Sequence, residues 1–211
     1  MHLRDVLQEH RLLAIVRGDD PDRALESILV LAESGITLIE VSLTAADGVG
    51  VIARARAELG PHALLGAGMV LSESEVVQVE QAGASFIATP AVAPAVGEAV
   101  RIGLPALVGA LTPSEALGAT LAGAAAVKLF PASIGGPGYL RTLCDCFPEV
   151  AFVPAGGVDA ASVTDYLSSG ALAVGVGAAL LADAPRGGDL GRLRERATTF
   201  LTASQQHGLS T

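Results

Sequence analysis

Short apolar runs alternate with longer amphipathic stretches along the whole chain. The runs fall at residues 12–16, 37–43, 63–68, 85–89, 105–109, 126–130, 151–155 and 172–177. They are rich in Val, Leu, Ile and Ala and too short for core helices, so they predict strands. They are almost continuously apolar rather than alternating, which marks strands covered on both faces, as in a parallel sheet.

The stretches between them read as helices with their own start and stop signals. Asp20 caps a segment that has Pro21 in its first turn, apolar positions at Leu25, Ile28, Leu29 and Ala32, and Gly35 at its stop. Ser72, with Glu75 three residues on, opens another that ends at Gly83. Residues 112–124 and 159–171 repeat the scheme and stop at Gly123 and Gly170. Strand and helix alternating eight times predict a (β/α)8 TIM barrel; an open doubly wound sheet is the alternative. The first helix, about residues 2–9, is expected to cap the N-terminal end of the barrel. The last, about 188–206, is expected to run into a frayed tail, "QQHGLST". No linker or low-complexity segment interrupts the pattern, so residues 1–211 read as a single domain.

Composition narrows the function classes. Aromatics are only 3% of the chain, so the core must come from many small aliphatic side chains packed closely. The net charge of −9 argues against nucleic acid, which calls for a basic footprint. No run reaches the ~18 apolar residues of a membrane span, and the charged start "MHLRDVLQEHRLL" is no signal peptide. A soluble, cytoplasmic protein without a membrane partner is expected. Cys144 and Cys146, spaced C-D-C, read as free thiols on a helix of a reduced protein. The histidines, 2, 10, 62 and 207, are scattered and none falls at a strand end, so no metal site is expected.

In such a barrel the active site lies at the C-terminal ends of the strands. These ends carry Arg17, Glu40, the run Gly66 to Met69 that includes Gly68, Thr89 with Pro90, Gly109, Lys128 followed by Phe130, Pro154 to Val158, and Gly175 to Leu180. Lys128 is the only lysine, the other twelve of the 13 cationic residues being arginines. It and Glu40 are charges inside otherwise apolar strands. Buried charge is costly unless it is paired or used. One reading is a structural ion pair across the barrel. The other is a nucleophilic amine: burial disfavours the charged form of a lysine, and a neutral amine attacks carbonyls to give a Schiff base. Glu40 would then move protons. The glycines at 156 and 157 follow strand seven and those at 175 and 177 end strand eight, the usual anion-binding corner of this fold.

Taken together, "AIVRG" (14–18), "IEVSL" (39–43), "GAGMVL" (66–71), "ATP" (88–90), "VKLFPAS" (127–133) with "GPGYL" after it, and "AGGV" (155–158) resemble the 2-keto-3-deoxy-6-phosphogluconate / 2-keto-3-deoxy-6-phosphogalactonate aldolase family. The likeness is greater to the phosphogalactonate branch. It implies a class I aldolase, a lyase that cleaves a 2-keto-3-deoxy-6-phospho sugar acid to pyruvate and glyceraldehyde 3-phosphate through a lysine Schiff base, with no metal or cofactor. It implies Lys128 as the Schiff-base lysine and Glu40 as acid and base. Arg17, Gly68, Met69, Thr89, Pro90, Phe130 and Pro154 would face the substrate. Gly156, Gly157, Gly177 and Ala178 would hold the phosphate. The partners implied are small keto acids and further copies of the chain in a homotrimer.

The chain also departs from the family pattern. Met69 stands where a threonine is usual, Ala178 where a serine binds phosphate, and Ala155 where the phosphogluconate branch has threonine. Thr44 and Ala45 replace that branch's arginine after strand two, so Arg17 would bind the carboxylate almost alone. Each missing neutral hydrogen bond is worth about 0.5–1.5 kcal/mol. These losses keep open an aldolase for another keto acid, such as 4-hydroxy-2-oxoglutarate, and a non-catalytic keto-acid or sugar-phosphate binding barrel. A phosphate-binding barrel isomerase would not need Lys128.

Overall fold

The structure, a computed structural model, describes residues 2–205. Its strands are β1 (Leu12–Val16), β2 (Leu38–Ser42), β3 (Leu64–Gly68), β4 (Phe86–Thr89), β5 (Ala106–Ala110), β6 (Ala126–Leu129), β7 (Phe152–Pro154) and β8 (Val174–Val176). Its helices are α1 (Leu3–His10), α2 (Pro21–Glu33), α3 (Gly48–Leu59), α4 (Glu73–Gln81), α5 (Pro94–Ile102), α6 (Pro113–Leu121), α7 (Gly136–Cys146), α8 (Val163–Ser168), α9 (Ala178–Leu181) and α10 (Leu190–Gln205). All strand pairs are parallel, in the order β7-β6-β5-β4-β3-β2-β1-β8. The two ends of that order meet where Ala155 bridges to Gly175 and the Leu172 N–H donates to the Phe152 carbonyl at 2.9 Å. The sheet thus closes into the (β/α)8 barrel that the strand–helix rhythm predicts.

Two apolar cores follow from this closure. One lies between the strands and the surrounding helices, and small aliphatics such as Val51, Ala67, Val76 and Ala119 fill it. The other is the barrel interior, where Leu13, Leu38, Phe86, Leu107 and Val153 meet Leu3 and Leu7 of α1. The first helix therefore plugs the N-terminal end. Above this plug come Glu40 of β2, in register with Gly66 of β3, and Lys128 of β6, in register with Gly109 of β5.

The cap signals act as their residue types dictate. The Asp20 side chain accepts from the N–H groups of Asp22 and Arg23, and Ser72–Glu75 and Thr112–Glu115 form reciprocal capping boxes. Backbone N–H groups of Leu111 and Thr112 hold the Glu115 carboxyl below the usual carboxylate range.

The expected pattern fails near the C-terminus. β7 and β8 are three residues each, shorter than their apolar runs. Pro154 brings no N–H to the ladder, and Gly175 no side chain to pack. The helix expected directly after "AGGV" starts only at Val163, beyond a turn in which Asp159 accepts from the Ser162 N–H at 2.9 Å. After β8 the chain makes two elements not foreseen, α9 and a 3-10 turn at Ala184–Arg186, before α10. Pro185 and the glycines at 187 and 188 prevent one continuous helix. Of the expected frayed tail, residues 206–211 lie outside the described residues. Among the described residues, no helix is long and apolar enough to cross a membrane.

Candidate active site

β2 and β6 carry the two charges of the barrel interior. Lys128 Nζ donates to Glu40 Oε1 at 2.8 Å and to Oε2 at 2.9 Å. Both residues are buried, Glu40 at 1% exposure and Lys128 at 6%. The carboxylate needs space that a side chain on β3 would occupy, because a Cβ on Gly68 would collide with Glu40 Oε1. Gly68 therefore acts on the carboxylate's position. The pair is a short proton path between an amine and a carboxylate, shielded from bulk water.

A cavity of about 670 Å³ opens at the C-terminal ends of the strands. Its walls include Ile15 and Arg17 from β1 and its end, Phe130 after β6, Gly156 and Gly157 after β7, and Gly177 with Ala178 after β8. Lys128 and Glu40 are not themselves on these walls, but their neighbours are. Ile15 is the register partner of Glu40, and Phe130 lies two residues beyond Lys128. The loops that frame the cavity are tied together. Ala132 N–H donates to Ala155 O at 2.8 Å, and Ser133 N–H donates to Gly156 O at 3.0 Å. Tyr166 O–H reaches Ala132 O at 3.2 Å from behind.

The other residues singled out in the sequence are placed as follows. Arg17 is exposed on the cavity wall, and its side chain has no hydrogen-bond or ion-pair partner among the described residues. Met69 is partly buried, with a left-handed backbone (φ 61°) just past Gly68. Thr89 is buried, and its hydroxyl donates to Ala91 O at 2.7 Å, in the turn after β4. Pro90 follows it, with its carbonyl against Gly109. Pro154 is buried in β7 opposite Leu129. At the end of β2, Ser42 and Thr44 share a hydroxyl contact of 2.8 Å. Sequence reading does not single out one further wall residue, Arg186, because it lies outside every strand end.

An amine held against a carboxylate inside a (β/α)8 barrel, beside a cavity framed by glycine loops, has the construction of an aldolase-class lyase. The family model described as "KDPG and KHG aldolase" matches residues 3–194, and the chain belongs to that family. It is 34% identical over 197 residues to a "Probable 2-dehydro-3-deoxy-6-phosphogalactonate aldolase" of Rhizobium meliloti (strain 1021), covering 92% of both proteins. It is 36% identical over 166 residues to a "2-dehydro-3-deoxy-phosphogluconate aldolase" of Pseudomonas aeruginosa, covering 76% of this chain and 74% of the relative. Among solved structures, "Native KDPGal structure" superposes with a TM-score of 0.87 at 30% identity, covering 93% of this chain and 95% of that one.

Proposed function

We propose that the protein is a class I aldolase that cleaves a 2-keto-3-deoxy-6-phospho sugar acid to pyruvate and glyceraldehyde 3-phosphate. The observation that carries this reading is the buried contact of 2.8 Å between the sole lysine and Glu40. Lys128 passes a proton to Glu40, and the free amine adds to the keto carbon. Glu40 returns the proton as water leaves, which gives a protonated imine. The imine then takes up the electron pair of the C3–C4 bond, while Glu40, through a water, takes the proton of the C4 hydroxyl. Glyceraldehyde 3-phosphate departs. The enamine is protonated at C3, and hydrolysis releases pyruvate and Lys128. Arg17, unpaired on the wall, orients the carboxylate, and Phe130 walls the imine side. Gly68 sets the position of Glu40, and Met69, Thr89, Pro90 and Pro154 shape the strand ends around the substrate. The phosphate lies at Gly156, Gly157, Gly177 and Ala178.

Pyruvate release from the 6-phosphorylated gluconate- and galactonate-type substrates, and from 4-hydroxy-2-oxoglutarate, tests the substrate class. Turnover is expected with at least one phosphorylated acid at a kcat/KM exceeding that for 4-hydroxy-2-oxoglutarate. The reverse order would assign the site to the shorter keto acid.

The assembly proposed is a homotrimer of one-domain chains in the cytoplasm. In support, Leu71, Val92, Leu117 and Ile134, on and around α4 to α7, stand 47–68% exposed, which leaves apolar surface to cover. The free thiols Cys144 and Cys146 suit a reducing compartment. Light scattering is expected to return three times the 21.1 kDa chain mass; a single chain mass would remove the trimer.

A further inference from the structure

The 3-10 turn at Ala184–Arg186 brings a second cation to the cavity. The turn is anchored. Ala184 and Pro185 are buried, and Pro185 sits directly on the residue after Arg17. A Cβ on Gly18 would lie 2.5 Å from Pro185 O and 2.6 Å from Pro185 Cβ, so only glycine lets this turn dock on the end of β1. The docking delivers Arg186 to the cavity that Gly156, Gly157, Gly177 and Ala178 also line.

The guanidinium of Arg186 is not used by the fold. Among the described residues its one hydrogen bond runs from Nη2 to Ala182 O at 3.4 Å, which is long for such a bond. Arg23, Arg54, Arg101 and Arg194 each hold a carboxylate, and no carboxylate lies within 4.0 Å of Arg186 among the described residues. Among the described residues, the charged ones lining the cavity are Arg17, Arg186, Asp19 and Asp159. Asp159 accepts from the Ser162 N–H, and the side chain and then the backbone N–H of Ser162 hold its carboxyl below the usual carboxylate range.

We infer that Arg186 is a specificity-determining residue that binds the distal phosphate of the substrate, in the place of the hydroxyl that Ala178 lacks. This rests on the aldolase reading above. A planar guanidinium offers paired N–H donors that match a phosphate bidentately and carries a charge that a serine hydroxyl does not. Arg17 then takes the carboxylate end and Arg186 the phosphate end, on two segments fixed to each other through Gly18 and Pro185.

The test compares wild type, Arg186→Ala and Arg186→Lys on the 6-phosphorylated substrate and on its dephosphorylated counterpart. Binding of inorganic phosphate is measured by calorimetry alongside. Loss of a charge-assisted contact is expected to lower kcat/KM for the phosphorylated substrate roughly 10- to 100-fold, mainly through KM. Arg186→Lys should recover part of this loss. The dephosphorylated substrate should change less than about threefold, and phosphate affinity should fall in step with KM. Equal losses on both substrates, or unchanged phosphate binding, would overturn the assignment. A wild type that turns over neither substrate removes the aldolase reading, and the phosphate titration then still decides whether Arg186 holds the anion. A distal carboxylate substrate weakened in place of the phosphorylated one would overturn the phosphate in favour of a dicarboxylate.

Discussion

Replacing Lys128 by alanine is expected to abolish both turnover and covalent capture of pyruvate. Wild type incubated with pyruvate and borohydride should gain one reduced pyruvate, read by intact mass. The assay is clean in this chain because Lys128 is its only lysine, which leaves the N-terminal amine as the sole competitor. The alanine variant must also be shown to fold. Without the amine, Glu40 remains at 1% exposure as an uncompensated charge, and breaking a buried pair costs about 3–5 kcal/mol. A double variant, Lys128→Met with Glu40→Gln, removes both charges and keeps the volume, so its melting temperature should exceed that of the single variant. Loss of the adduct in the folded double variant assigns the imine to Lys128. An adduct that survives in both variants, or near-wild-type turnover by Lys128→Ala, would remove the Schiff-base mechanism.

Much of this site is legible because the strands of a barrel are apolar on both sides. A charge within such a run stands out, and Glu40 and Lys128 are the charges inside β2 and β6. The barrel itself follows from eight repeats of one local signal. Apolar runs of strand length are separated by helices that open on Asp20, Ser72 or Thr112 and close on glycine. Contacts between distant segments are less legible. Nothing local to "GAG" says that Gly68 clears space for a carboxylate on the neighbouring strand. Nothing local to "DAPRGG" says that Pro185 seats on Gly18. The segment after β8 reads as a weak helix with interruptions, and its conformation is set by what it docks against, so Arg186 has no periodic signal to mark it. Thr89 carries a second use that its place at a strand end does not reveal, because its hydroxyl donates to Ala91 O and closes the turn after β4.

Glu40→Gln is expected to slow turnover by roughly 10²- to 10⁴-fold, the range for loss of a general acid–base group. Glutamine keeps the shape and a hydrogen bond to Nζ but cannot take the proton of the amine or of the C4 hydroxyl. Pyruvate should still be trapped on Lys128, more slowly, because amine addition survives without its proton carrier. Gly68→Ala approaches the same defect from the neighbouring strand. Its new Cβ would occupy the place of Glu40 Oε1, so the carboxylate must leave Nζ or the two strands must part. The expected result is a fall in kcat close to that of Glu40→Gln, with a modest loss of stability. The decisive measurement is a double-mutant cycle. If Gly68 acts only through the carboxylate, Gly68→Ala should cost little further in a Glu40→Ala background, where the colliding atoms are gone. Additive losses would mean that Gly68 meets the substrate itself. A Gly68→Ala enzyme with unchanged kcat would mean that Glu40 works equally well from another position, and the 2.8 Å contact would then lose its claim to be the proton path.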